Sequence, residues 1–300
     1  MKIKKITIVI ISLLALLALL AILVLIFSET SFKKVNKNNT NSNQDNLISA
    51  QYTDSSLFLS VIKQTKAKAS SEIINGLIVP HHLLAKDIIA AAFAYASANN
   101  YKNIVLLSPD HFQAGKSEIS VTERSFSTVF GIVETNKEIV RQLKELSFVG
   151  EGDFFYREHG LQAQLPFIKY YFPQTKIIAI TFKPTTSRDK LDKVIAILEK
   201  NLPPDSLIIQ STDFSHYLNP AQAAIKDSES INIINNENTP EALNLKQPDN
   251  IDSAAALYVQ TSLQKDFFKT KSIILEHKNS QDYTAEYVSS STSYFSVAYQ

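Results

Sequence analysis

The chain opens with an almost unbroken apolar run over residues 6–27 and then turns abruptly polar. A run of that length can cross the hydrocarbon core of a bilayer as a helix. Met1-Lys2-Ile3-Lys4-Lys5 precedes it, and positive charge before a first span favours a cytoplasmic N-terminus. A cleaved signal peptide would have a shorter apolar core ending in small residues, whereas this run closes on Leu25-Ile26-Phe27-Ser28-Glu29. The pattern therefore predicts a single-pass membrane protein with an uncleaved signal anchor. Residues 1–5 are then cytoplasmic, residues 6–27 transmembrane, and the main domain extracytoplasmic. Residues 28–56 are rich in Asn, Ser, Thr, Gln and Lys. They offer too little apolar surface to pack and read as a flexible stalk.

Over residues 57–300 the pattern alternates between two periods. Strands are expected at 73–79, 103–107, 176–181 and 206–210, with closing strands at 272–277 and 293–299. Residues 119–122 and 128–134 read as a hairpin. Helices are expected at 83–98, 137–146, 160–171 (with Pro166 inside), 188–201, 221–234 and 251–263. Strands alternating with helices predict one α/β domain: three-layer α/β/α with a largely parallel central sheet, preceded by one N-terminal transmembrane helix. Ligand sites in such sheets lie beyond the carboxyl ends of the strands.

Composition narrows the chemistry mainly by exclusion. With Cys 0 there is no disulfide, thiolate nucleophile or cysteine-based zinc site. Lys+Arg 30 against Asp+Glu 29 leaves no basic stripe for nucleic acid.

Five of the six histidines fall in four short motifs at element ends. These are Val79-Pro80-His81-His82, Ser108-Pro109-Asp110-His111, Arg157-Glu158-His159 and Ser211-Thr212-Asp213-Phe214-Ser215-His216. Three of them follow expected strands. Two imidazoles at neighbouring strand ends can project into one crevice. With a carboxylate they make a facial set that suits Fe(II), or a catalytic Zn(II) that keeps one position for water. The alternative is that each histidine caps a helix or binds a backbone carbonyl. His216 is a candidate proton carrier with Asp213 to orient it, set against a helix-capping network of Asp213, Ser215 and Asn219. Glu158 reads as a complement to a helix dipole. His82 is expected to point away from His81, and His277 to be exposed.

Taken together, these motifs resemble the Memo family, called AmmeMemoRadiSam system protein B in bacteria and archaea. The residues that carry the resemblance are Gly76-Leu-Ile-Val-Pro-His81, Ala94-Tyr95, Val105-Leu-Leu-Ser-Pro-Asp-His111, Glu158-His159, Gln164-Leu-Pro-Phe167, Ser211-Thr-Asp-Phe-Ser-His216 and the closing Ser293-Tyr294. The resemblance covers residues 72–300. It implies a fold like that of class III extradiol ring-cleaving dioxygenases and a metal pocket built on His81 and His111. His159 and His216 are its implied acid/base groups, with Asp213 beside the latter. It also implies either metal-dependent redox chemistry or binding of a partner peptide.

Two departures stand out. The family's third ligand is typically a cysteine, absent here, and by position Asp252 replaces it, with Asp249 second. A carboxylate in place of a thiolate shifts preference from Cu(I) toward harder divalent ions. The family's His-Ala-Gly turn is His81-His82-Leu83 in this chain.

The expectation is thus one divalent metal ion, Fe(II) favoured and Zn(II) next, held by His81, His111 and Asp252. His216, His159 and Asp213 would handle protons. The expected activity is a dioxygenase-like oxidoreductase. The alternatives are zinc-dependent hydrolysis, which an extracytoplasmic address favours, and a non-enzymatic module binding a peptide or small ligand. The expected partners are the membrane, through the N-terminal helix, and a small-molecule or peptide ligand.

Overall fold

Alternate side chains of the central strands feed two separate cores. Ile78, Val105, Leu107, Ile178, Ile180 and Ile208 point into one; Leu77, Val79, Ile104, Leu106, Ile177 and Ile209 point into the other. A strand buried on both faces reads as a continuous apolar run, which is why Ile104-Val105-Leu106-Leu107 carries no polar alternation.

The computed structural model describes residues 47–300. The expected cytoplasmic segment 1–5, the span 6–27 and residues 28–46 of the stalk lie outside the described residues. No helix of the described residues is long and apolar enough to cross a membrane. A compact unit covers Ile48–Gln300, so the fold starts before residue 57. Ile48, expected in the stalk, is buried in the second core, and the Gln51 N–H donates to Gln162 Oε1 at 3.0 Å.

After a two-residue strand at Leu47–Ile48 come α1 (Ser56–Gln64), β1 (Gly76–Val79), α2 (Lys86–Ala96) and β2 (Asn103–Pro109). Short strands β3 (Ile119–Val121), β4 (Ser125–Thr128) and β5 (Gly131–Thr135) lead to α3 (Lys137–Lys144) and β6 (Val149–Glu151). Then come α4 (His159–Gln162), α5 (Leu165–Tyr171), β7 (Lys176–Phe182), α6 (Arg188–Asn201) and β8 (Leu207–Ser211). The last third holds β9 (His216–Leu218), α7 (Pro220–Asn235), α8 (Ala254–Ser262), β10 (Ser272–Asn279) and β11 (Ser291–Tyr299).

The sheet is mixed. Its centre, in the order β5-β7-β2-β8-β1, is parallel throughout. Beyond β1, strand β11 runs antiparallel and pairs in turn with β9 and β10. Helices cover both faces: α3, α6 and α8 contribute to the first core, and α1, α2 and α5 to the second.

Three local expectations are corrected. The hairpin joins β4 to β5, closed where Gly131 adopts φ +119°, a conformation that favours glycine. Residues 119–121 pair instead with β6 and β7. The helix expected over 160–171 is broken into α4 and α5, because Pro166 lies in the first turn of α5, where its missing N–H is tolerated. The last core helix starts at Ala254 rather than 251. Ser253 caps it by accepting the Ala256 N–H, and Ile251 is drawn into an extended bridge with Phe214.

Candidate metal centre

Strands β1, β2 and β8 are parallel neighbours, so their carboxyl ends open on the same edge. His81 follows β1 after Pro80, His111 follows β2 after Pro109 and Asp110, and Asp213 follows β8. His159 opens α4, where Glu158 accepts the Gly160 N–H as the helix cap. Asp252 arrives from the opposite direction, just before α8. It is pinned by reciprocal bonds: its N–H donates to the Asp213 carbonyl at 3.1 Å, and its Oδ2 accepts the Asp213 N–H at 3.0 Å. The next residue, Phe214, bridges to Ile251 and stacks on Phe295, centroids 4.0 Å apart, which anchors the strand-end turn in the first core.

The donor atoms converge. His81 Nε2 and His111 Nε2 stand 3.1 Å apart. Asp252 Oδ2 lies 3.1 Å from the first and 3.6 Å from the second. Atoms bound to one ion at about 2.0–2.1 Å stand roughly 3–3.5 Å from each other, so these spacings fit a shared cation. Among the described residues, His81, His111 and His159 also form a group whose ligand atoms all lie within 4.8 Å. Asp252 Oδ1, the other oxygen of that carboxylate, is buried with no hydrogen-bond partner among the described residues, an unsatisfied polar atom beside the donor set.

Supporting groups fix which face each imidazole presents. Glu158, fully buried, takes three donors: His111 Nδ1–H at 2.5 Å, the His111 backbone N–H and the Gly160 N–H, both at 3.1 Å. A carboxylate only accepts, so a neutral His111 carries its proton on Nδ1 and turns the Nε2 lone pair to the site. Asp213 Oδ1 accepts the His81 N–H at 3.0 Å. Gln164 donates to the Pro80 carbonyl at 2.7 Å and to Ser211 Oγ at 3.1 Å. Ser211 Oγ in turn stands 3.5 Å from His81 Nδ1.

The electrostatics follow from three carboxylates facing three imidazoles. Burial opposes a charge on His81, but Asp213 and Asp252 outweigh it and raise the pKa above the usual histidine value. Burial likewise works against His111, while Asp252 and Glu158 push it up to about 10. For Asp252 burial is overcome by the His81 and His111 charges, which hold it well below the usual carboxylate range. His159 goes the other way: burial and the charges on His81 and His111 bring it down to about 4. Without a cation, protons on His81 and His111 balance the carboxylates. The residues present fit a divalent ion, which would do the same with one charge centre.

Not every sequence-predicted residue joins the group. His216 lies on β9, where its N–H donates to the Pro248 carbonyl and its ring tilts against Tyr217. No hydrogen bond or ion pair joins it to the three histidines among the described residues, and its Nδ1 is buried without a partner. Asp213 stands 3.7 Å from His81 Nε2 rather than beside His216. His82 turns its Nδ1 to the Tyr294 hydroxyl at 2.6 Å. His277 is exposed, as expected, with Nε2 3.0 Å from Asp227 Oδ2. Sequence reasoning missed the roles of Glu158, Gln164 and Ser211. Glu158 does cap α4, but its partner His111 lies 47 residues away, and nothing local signals that contact.

The Memo family profile, described as Memo-like protein, matches residues 49–298. A MEMO1 family protein of Caldivirga maquilingensis is 29% identical over 158 residues, spanning 50% of this chain and 56% of that protein. One from Ignicoccus hospitalis is 27% identical over 219 residues, 69% of this chain and 76% of its own length. Among solved structures, an uncharacterized protein from Escherichia coli K12 is 10% identical with a TM-score of 0.45, covering 74% of this chain and 99% of that one. The match to the Caldivirga relative thus spans little more than half of that protein's length. A family profile that matches nearly all of the folded unit, the same unit that carries the histidine group, shows that this chain belongs to the Memo family.

Proposed function

We propose that this chain is a metal-dependent oxidoreductase whose divalent ion, Fe(II) before Zn(II), is held by His81, His111 and Asp252. The observation that carries the reading is the approach of the two Nε2 atoms and Asp252 Oδ2 within 3.6 Å of one another. A set of imidazole and carboxylate donors suits Fe(II), Mn(II) and Zn(II). When bound, such an ion would activate a substrate or water as a Lewis acid or redox centre. The chain's own residues do the rest. Glu158 fixes the His111 tautomer, and Asp213 holds the Asp252 carboxylate and the His81 backbone in place. His159, kept neutral near pH 7, accepts a proton from the substrate at its free nitrogen.

Zinc-dependent hydrolysis is the second reading. It is favoured by the third imidazole, since three histidines also form the donor set of water-activating zinc sites.

The test is metal content of the full chain, purified anaerobically, against the His81→Ala/His111→Ala double variant. About one equivalent of iron supports the oxidoreductase, and one of zinc the hydrolase. No metal in either protein after reconstitution removes both and leaves a binding domain.

We further propose that residues 6–27 anchor the chain, placing the domain outside the cytoplasm to act on a small-molecule or peptide ligand. The apolar run and the lysines before it support this. Protease accessibility of the domain in intact cells tests it: protection of the domain overturns the topology.

A further inference from the structure

The histidine group opens to solvent along one line. Side-chain exposure rises from 2% at His81 to 18% at His111 and 33% at His159, and Phe112 is 56% exposed. The Phe112 ring lies 6.0 Å from His159, nearly perpendicular to it, and 6.5 Å from His111. Beyond it, the Arg157 guanidinium carbon sits 5.5 Å from the Phe112 centroid. The guanidinium is therefore two ring contacts away from the His159 imidazole.

Neither residue is explained by the fold. Phe112 buries too little of its ring to serve a core, and its place beside the histidines leaves ring surface open to a ligand there. Among the described residues no carboxylate pairs with Arg157. Its neighbour Glu158 is committed to His111 and Gly160. A guanidinium is charged at every working pH and carries five N–H donors in a fork matched to carboxylates. The ring beneath orients that fork without using its in-plane donors.

We propose that Phe112 and Arg157 are the specificity-determining pair of this pocket and select a small organic carboxylate with a flat apolar body. The body lies against Phe112 and His159, the carboxylate takes two parallel N–H bonds from Arg157, and the far end faces the histidines. The assignment deepens the metal-pocket reading and rests on it for the orientation of the far end.

Fluorobenzoate binding to the full chain, followed by fluorine NMR, is the test, with fluorobenzamide as the uncharged probe of the same shape. Arg157→Gln should weaken fluorobenzoate roughly tenfold or more and leave fluorobenzamide unchanged. Phe112→Ala should weaken both. Both side chains are exposed, so melting temperature should match wild type in each variant. Equal fluorobenzoate affinity in wild type and Arg157→Gln, or no binding by wild type, overturns the proposal. Metal content of the same samples separates the two readings. Metal-free protein that keeps the Arg157-dependent preference removes the metal reading alone, and metal-loaded protein without that preference removes this one alone.

Discussion

Glu158 sets the behaviour of the whole site through one proton. It accepts the Nδ1–H of His111 and thereby leaves Nε2 free for a ligand role. Glu158→Gln keeps the shape but offers His111 a weaker, uncharged acceptor. Metal affinity should fall by about 10–100-fold, as for other partners behind a ligating histidine; competition against a chelator measures it, and a near-unchanged affinity would remove Glu158 from the site. The raised pKa values give a second expectation. In the metal-free protein His111 holds its proton up to about pH 10, and His81 is raised as well. A cation must displace those protons, so its apparent affinity rises with pH between 6 and 8, by about tenfold per unit for each proton released. Titration in buffers of different ionisation enthalpy reads that proton release directly. The same shifts set the stability of the metal-free form. The His111 contribution is fully present below its unfolded value of about 6.5 and is lost as pH rises through about 10. The Asp252 contribution is present above about 3.9 and is lost as pH falls below it, because its pKa is depressed on folding.

At the scale of elements, the site depends on how closely α4 approaches β2. Gly160 makes that approach possible: a Cβ there would overlap the Ser108 hydroxyl and stand 3.3 Å from both Glu158 Oε1 and His111 Cε1. Gly160→Ala should therefore push α4 outward, costing about 1–3 kcal/mol of stability, and weaken metal binding in the same variant. Thermal melting with and without metal checks both, and an unchanged melt would show that α4 yields freely. The elements themselves were largely legible. The strands at 76–79, 103–109, 176–182 and 207–211 announce themselves because both faces are buried and each carries an unbroken apolar run of three or more residues. The strands of three residues at Ile119–Val121, Val149–Glu151 and His216–Leu218 were misassigned or missed, since three residues carry no period. The break between α4 and α5 was signalled by Pro166, but which side of the proline would break depends on packing.

For the whole molecule, the donors at positions 81, 111 and 252 come from three separate loops, so the ion would tie distant segments of the fold together. A ligand that binds only the native state stabilises it by about 2.7 kcal/mol at a hundredfold excess over its Kd. For a domain of this size that is roughly a 5–10 °C rise in melting temperature. His81→Ala should abolish the rise. A rise that survives in His81→Ala would place the metal elsewhere.

The sequence by itself determined the alternation of strands and helices, the placement of histidine motifs at strand ends, and the family resemblance. Each is a local property, written in runs of fewer than about a dozen residues. Asp252, with Asp249 second, was named only through that resemblance, as the replacement for the family's missing cysteine. What only the tertiary structure decided is which of these groups meet. It turned His159 rather than His216 toward His81 and His111, put Asp213 behind His81, and gave Glu158 a partner 47 residues away. The physical reason is that side-chain contacts across the carboxyl edge of a parallel sheet depend on strand order and loop course. Neither is encoded in the spacing of residues along the chain.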